Sequence, residues 1–213
     1  MTATLLHPGD LEATAAALAH AFQDDPLQTY ILPDAEDRAR RSPAHFASIL
    51  RYGLLFGEVF TGPGRACGAA VVLPPDGWEI TPERASAAGF DRWPTSLGVV
   101  AAERFSSALS ALDPFHHRDV PSAHWYVLVL GVSPEAQGTG LGRALLQPMF
   151  DRSTGSGQPC YLETAQPKNV GFYEHLGFRV LVDMVEPSSG LRLWTFRRDS
   201  HTTSSTSLPD MSR

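Results

Sequence analysis

The stretch HWYVLVLGVSPEAQGTGLGRALL, His124 to Leu146, decides how the rest of the chain is read. Its opening, His124–Val132, is apolar almost without interruption. That is the pattern of a strand buried on both faces in the middle of a sheet. Its end is an unbroken run of helix formers. Between them Gly138, Gly140 and Gly142 stand at alternate positions. Glycine weakens a helix, so three at its mouth imply something that approaches the main chain more closely than side chains allow. The first-turn amides of a helix have no internal acceptor and carry partial positive charge. Bared of side chains, they can donate to a phosphate, each charge-assisted bond being worth about 1.5–3 kcal/mol. The stretch therefore predicts a phosphate or pyrophosphate clamp. The bland alternative is a tight turn that lets the helix pack close to the strand. Two familiar clamps do not fit. The sixth position from Gly138 is Arg143 and from Gly140 is Leu145, so the dinucleotide fingerprint fails, and no Gly-Lys-Ser/Thr follows.

The 213-residue chain suits one domain, or at most two small ones. A net charge of −6, with no Lys/Arg run, argues against nucleic acid as a partner. Cys67 and Cys160 have no ligand-spaced companions and make neither a disulfide framework nor a zinc site. His116 and His117 are adjacent, so their side chains diverge, and no metal site is expected. No apolar run reaches the ~18 residues of a membrane span. The beginning MTATLLHPGD is too poor in apolar residues for a signal peptide. The expectation is a cytoplasmic protein without membrane contact, a monomer or homodimer.

Elements follow from periodicity. ATLLH reads as a first strand. Asp10 reads as the N-cap of a helix in which Leu11, Leu18 and Phe22 share a face. DDPLQTYILPD reads as a turn-rich loop, and Glu36–Phe56 as a helix that Pro43 must kink or restart. EVF and ACGAAVVL, around TGPG, form a hairpin. A helix is predicted over Pro94–Leu112 within the otherwise unreadable Pro74–Phe115, and another over Gly138–Phe150. PCYLET is a strand, PKNVGFYEHLG a short helix stopped at Gly177, and FRVLVDMV and LRLWTF are closing strands. The Ser/Thr-rich end, 200–213, reads as a disordered tail. The order implies one mixed α/β or α+β sheet domain over 1–199.

On these residues the chain resembles a known family. VSPEAQGTGLGRALL is similar to the acetyl-CoA signature of the GCN5-related N-acetyltransferases, Q/R-x-x-G-x-G/A, here Gln137, Gly140 and Gly142. YLETAQPKNVGFYEHLGF resembles the second signature, with Asn169, Tyr173 and Gly177-Phe178 in place. Both stretches look like the puromycin N-acetyltransferase branch. The resemblance implies a strongly twisted mixed sheet of six or seven strands, in which strands 123–132 and 159–164 are parallel neighbours that splay apart. Acetyl-CoA, without any metal, would wedge into the splay. Its pantetheine would pair with main chain near Leu130 and Val132. Its pyrophosphate would meet Gln137, Gly138, Thr139, Gly140, Leu141, Gly142 and Arg143.

The implied reaction moves an acetyl group directly from the thioester to a primary amine. Tyr173 corresponds to the family's general-acid tyrosine, or else packs beside Phe172; a phenol with an ordinary pKa near ~10 is protonated at neutral pH. For a base there are several candidates. Glu163 lies in an apolar strand, where a carboxylate is costly unless paired or functional; a salt bridge to an arginine would explain it equally. Tyr126 and His124 open the central strand, as site residues or as core. Asp24 and Asp25 could line the acceptor pocket or make the turn before Pro26, with Tyr30 as a wall. Asn169 could bond the pantetheine or cap its helix. Cys160 reads as a small buried strand residue. The expected acceptor is a small-molecule amine, an antibiotic or aminonucleoside among them. The alternatives are a protein or peptide amine, or a sensor that binds acyl-CoA without turnover.

Overall fold

The computed structural model describes residues 2–63 and 67–200. The tail expected from residue 200 lies outside these from 201 onward. Seven strands build one sheet in the order β1-β2-β3-β4-β5-β7-β6. They are β1 (Thr4–Leu5), β2 (Glu58–Thr61), β3 (Gly68–Leu73), β4 (Trp125–Val132), β5 (Cys160–Thr164), β6 (Arg179–Val185) and β7 (Arg192–Arg198). Every pairing is antiparallel except β4 with β5. All six residues of β3 are buried, because helices cover both faces of the sheet centre. The chain thus has the mixed α/β sheet expected, with Trp125–Val132 supplying the middle strand and His124 just before it.

Helices α1 (Leu11–Ala21) and α3 (Ala35–Phe56) pack on one face, where Leu18, Phe46, Leu50, Tyr52, Val71 and Tyr161 form the core. The other face is covered by α8 (Leu141–Ser156) and α9 (Asn169–His175), with Leu145, Leu146, Met149, Leu162 and Phe196 beneath them. Alternation along β5 sends Tyr161 to the first core and Leu162 to the second. Gly131 lets α1 approach β4: a Cβ there would stand 2.6 Å from Leu18 Cδ2 and from Phe22 Cε2.

Strands β4 and β5 share only two register pairs, Trp125–Cys160 and Tyr126–Tyr161. The break has a visible cause. The β3–β4 register jumps from Val72–Val127 to Val71–Val129, so Leu128 is an extra residue. Such a bulge bends its strand and increases the twist. It lies two residues beyond the last β5 pair and turns the rest of β4 away.

Several expectations need correction. The segment read as a loop after Gln23 contains α2 (Pro26–Ile31). Pro at its first position and Asp25 as N-cap build it: Asp25 Oδ1 accepts from Leu27 N at 2.9 Å and Gln28 N at 3.4 Å. Asp10 stands before α1 but makes no side-chain cap bond; His7 caps a 3₁₀ turn over Pro8–Asp10 instead. Pro43 does not restart α3, which runs through it from Ala35 to Phe56. The helix expected over Pro94–Leu112 is broken at Gly98, whose φ of +95° divides α5 (Trp93–Ser96) from α6 (Val99–Ser110). Arg41 fixes the break by donating to Leu97 O at 2.7 Å. The same unread region also holds α4 (Pro82–Ala88), and α7 (Asp113–Asp119) follows. The helix expected over Gly138–Phe150 begins only at Leu141 and continues to Ser156, because Gly138 and Gly140 take φ of +74° and +84°. The first strand is just Thr4–Leu5.

One buried cation holds the turns between α1, α2 and α3. Arg38, 5% exposed, donates to Gln23 O at 2.6 Å, Leu32 O at 2.5 Å and Pro33 O at 3.0 Å. Removing it would leave these carbonyls without their charged donor. Arg38→Met should lower the unfolding free energy by about 3 kcal/mol in chemical denaturation; a loss under about 1 kcal/mol would mean the turns hold without it.

Candidate active site

Two concavities open where β4 and β5 part. The larger, about 680 Å³, runs along the end of β4 and the glycine loop, between Phe22 of the α1 end and Phe172 and Tyr173 of α9. The smaller, about 130 Å³, lies on the α1/α3 face of the sheet, roofed by α2, α3 and α6. Phe22, Asp25, Leu130, Asn169 and Tyr173 line both. The two spaces therefore meet at those five residues, as a two-substrate site requires.

At its glycine end the cleft presents main-chain donors with open space before them. α8 has no side-chain cap at Gly140, so the amides of its first turn have neither an internal acceptor nor a capping oxygen. A Cβ added at Gly138 or Gly140 would meet nothing within 4 Å, whereas one at Gly142 would stand 3.1 Å from Phe172 Cζ. So the first two glycines serve the loop's left-handed turns and leave room in front of the amides, and the third lets α9 close on α8. Gln137, Gly138, Gly140, Leu141 and Gly142 line the cleft together with Leu130, Val132 and Asn169. Gln137 Nε2 folds back to Val132 O at 3.1 Å, and Thr139 Oγ1 donates to Ala136 O at 2.6 Å; both brace the loop. Thr139 and Arg143 are exposed and do not line the cleft.

Tyr173 is buried at the junction. Burial, reinforced by Asp25, raises its hydroxyl above the usual phenol range, so it carries its proton at neutral pH. Asp25 lines both spaces and Asp24 only the cleft. Tyr30 lines neither; it lies under the Arg104 guanidinium, 5.4 Å from its ring centre.

Glu163 and Tyr126 face the smaller cavity. Tyr126 Oη donates to Glu163 Oε2 at 2.7 Å. Among the described residues Glu163 has no arginine partner; its other oxygen lies 3.3 Å from His116 Nδ1. His116 Nε2 in turn stands 2.8 Å from His124 Nε2, and His124 Nδ1 2.7 Å from Ser122 O. Hydrogen-bond directions assign the protons. A carbonyl only accepts, so His124 donates through Nδ1. Burial, the largest influence, lowers His124 to about 4, so it is neutral and offers a lone pair at Nε2. His116 must donate to that lone pair through its own Nε2. Its Nδ1 then meets Glu163 either as a lone pair against a carboxylate, which repels, or with one proton between them, which attracts. Glu163 and His116 can therefore take up one proton together, which turns that repulsion into attraction.

His124 is thus fully buried behind the site, lining neither space. His116 was overlooked in the sequence because it sits on α7, beyond the unread region, and because an adjacent His pair suggests only metal. The pair parts less than adjacency suggests: both rings pack against Trp78, at 4.4 Å for His116 and edge-on at 5.3 Å for His117, and their centroids stand 6.4 Å apart, while His116 also stacks on Tyr161. Among the described residues no group of His, Cys, Asp or Glu could hold a metal ion, and no helix is long and apolar enough to cross a membrane. Cys160 is buried in β5 and lines neither space.

Comparison with known proteins agrees with this architecture. Residues 99–180 match the family model of the acetyltransferase (GNAT) domain, a span from α6 through α9 that includes the glycine loop and the junction. An uncharacterized N-acetyltransferase of Schizosaccharomyces pombe is 27% identical over 189 residues, covering 84% of this chain and 74% of the relative. Among solved structures, a histone acetyltransferase HPA2 and related acetyltransferase from Corynebacterium glutamicum superposes with a TM-score of 0.68 at 22% identity, over 95% of this chain and 98% of that one. Arylalkylamine N-acetyltransferase 2 from Aedes aegypti gives 0.62 at 13% identity, over 93% and 98%. These superpositions establish that the GNAT fold extends to both ends of the described sheet.

Asp25 generates a pH prediction. Burial pushes its carboxyl up from 3.8 to about 6, against the opposing pull of the Leu27 and Gln28 amides and Lys168. Between those values the folded chain holds a proton that the unfolded chain has released. Stability from this group is therefore full below the lower value and lost as pH rises through the upper one. Asp25→Asn keeps a capping oxygen but cannot ionise. The melting temperature of the native protein minus that of D25N should fall as pH rises from 4 to 7; a constant difference would contradict the assignment.

Proposed function

We propose that the protein is an acetyl-CoA-dependent N-acetyltransferase that acts on small-molecule primary amines by direct transfer. One observation carries the reading: the diphosphate-fitting cleft and the Glu163-bearing cavity meet at Tyr173. The GNAT match and the relative named as an N-acetyltransferase support the same activity class. A cavity roofed by helices supports a small amine over a protein tail. The motif resemblance extends the reading to amine-bearing antibiotics such as aminonucleosides, handled in the cytoplasm.

Acetyl-CoA supplies the acetyl group as a thioester. The chain's residues handle protons and position. A primary amine arrives as an ammonium ion and must lose a proton before its nitrogen can attack. Glu163 accepts that proton and passes it to His116 Nδ1, so the charge ends on a buried ion pair braced by Tyr126 and His124. The amine nitrogen then bonds the acetyl carbon and the carbon–sulfur bond breaks. Tyr173 gives its hydroxyl proton to the departing sulfur and recovers one from the new amide nitrogen. Overall one proton is released, the one held by Glu163 and His116. Holding both reactants at the junction supplies much of the acceleration.

The test is thiol release from acetyl-CoA with a panel of simple alkylamines and arylalkylamines, puromycin and N-terminal peptides. Small amines should turn over and peptides should not; silence across the panel, with acetyl-CoA still bound, would favour a sensor. Tyr173→Phe should cut kcat at least ~10²-fold with acetyl-CoA affinity within about twofold, and undiminished kcat would remove Tyr173 from the chemistry. His116→Gln should displace the acid limb of kcat/KM against pH by about one unit or more, a change that a packing role would not produce. The groups that face this pair are Tyr126, Tyr161, His124, Asp113, His117 and, through His124, Arg197; an unmoved limb would leave Glu163 acting without His116.

A further inference from the structure

The smaller cavity has a second polar feature that the chemistry above does not use. His45, on α3, is 1% exposed, and both of its ring nitrogens lack a hydrogen-bond partner among the described residues. Its ring is enclosed by Phe46, Trp93 and Phe105, 4.8–5.3 Å between centroids. It nevertheless lines the same cavity as Glu163 and Tyr126. A buried imidazole without partners leaves the desolvation of each unmet polar atom uncompensated, and an apolar residue of similar size would fit this aromatic nest without that cost. Buried polar groups left unpaired call for an explanation, and here the group borders a space that a ligand can enter.

We propose that His45 is a specificity residue that hydrogen-bonds a hydroxyl group at the far end of the acceptor amine. The inference rests on reading this cavity as the acceptor site. The ligand class follows from the chemistry of the two ends. Glu163, from the sheet, takes the amine. His45, from the helical roof, shares no ring or hydrogen-bond partner with Glu163, so it marks a separate end. Most of the remaining lining is apolar, Phe46, Ile49, Phe105 and Leu128 among it. Burial alone lowers His45 to about 3, so the ring is neutral, with one N–H and one lone pair. A hydroxyl, which donates and accepts, satisfies either nitrogen. A second ammonium would bring three donors to one lone pair in an apolar nest and is disfavoured. The substrate class is a primary amine joined by a short apolar spacer to a terminal hydroxyl.

The test compares kcat/KM within matched pairs: 2-phenylethylamine against tyramine, and hexylamine against 6-aminohexan-1-ol. In the native protein the hydroxylated member of at least one pair should be preferred by about tenfold or more. In His45→Leu the ratio should fall to near one, while the melting temperature stays level or rises because an unpaired polar ring has been removed. His45→Met serves as a second variant should H45L not fold. A ratio near one in the native protein for both pairs, or a ratio kept in the variants, overturns the proposal. Calorimetric binding of 4-ethylphenol against ethylbenzene asks the same question without acetyl transfer. If no amine turns over, the proposed activity fails, but a tenfold preference for the phenol that disappears in H45L still supports the subsite, and equal binding rejects it.

Discussion

Strands β4 and β5 pair for two residues and then separate, and everything functional in this chain depends on that separation. Past Tyr126, β4 remains bonded to β3 on one side only. Its other edge carries peptide groups in the middle of a sheet, where such groups are costly to leave unmet. An extended ligand with its own amides, such as a pantetheine arm, can complete that edge as an added strand. The separation also makes room for the cleft on one side and the apolar cavity on the other. The Leu128 bulge produces the bend, and Gly131, by admitting α1 close to β4, places Phe22 at the junction.

Electrostatics at the junction are arranged by burial more than by paired charges. Tyr173 and Tyr126 are kept protonated, Asp25 is pushed up, and His124 is kept neutral, each chiefly because desolvation disfavours its charged form. Against that background Glu163 and His116 meet as the groups between which one proton can move. In the proposed reaction the proton given up by the amine comes to rest on this pair, which Tyr126 and His124 brace.

The sequence made the strand–loop–helix at His124–Leu146 legible because its apolar run, its glycines and its helix formers are local signals. The alternation that put Glu163 beside Tyr161 and opposite Leu162 was legible for the same reason. The rest depends on long-range contacts. The Leu128 bulge exists only in register with β3, and no property of Leu128 announces it. α2 was hidden because its cap and its proline look like a turn, and its six residues are too few to show a period. α6 was half seen: a helix was legible over its residues, but Gly98 ends the preceding helix through Arg41, which lies far away in the chain. His116 and His45 could not be found locally at all. One is defined by a carboxylate on β5, and the other by the lack of a hydrogen-bond partner among the described residues.

The account rests on main-chain donors at the start of α8 holding the diphosphate of coenzyme A at the parted strands. Calorimetric titration with acetyl-CoA and with S-acetylpantetheine, which lacks the nucleotide diphosphate, tests this most directly when amide shifts of residues 138–143 are followed by NMR. Acetyl-CoA should bind at least ~10²-fold more tightly, in line with two or more charge-assisted bonds, and only it should move those amides. Equal affinities, or unmoved amides with acetyl-CoA bound, would contradict the account.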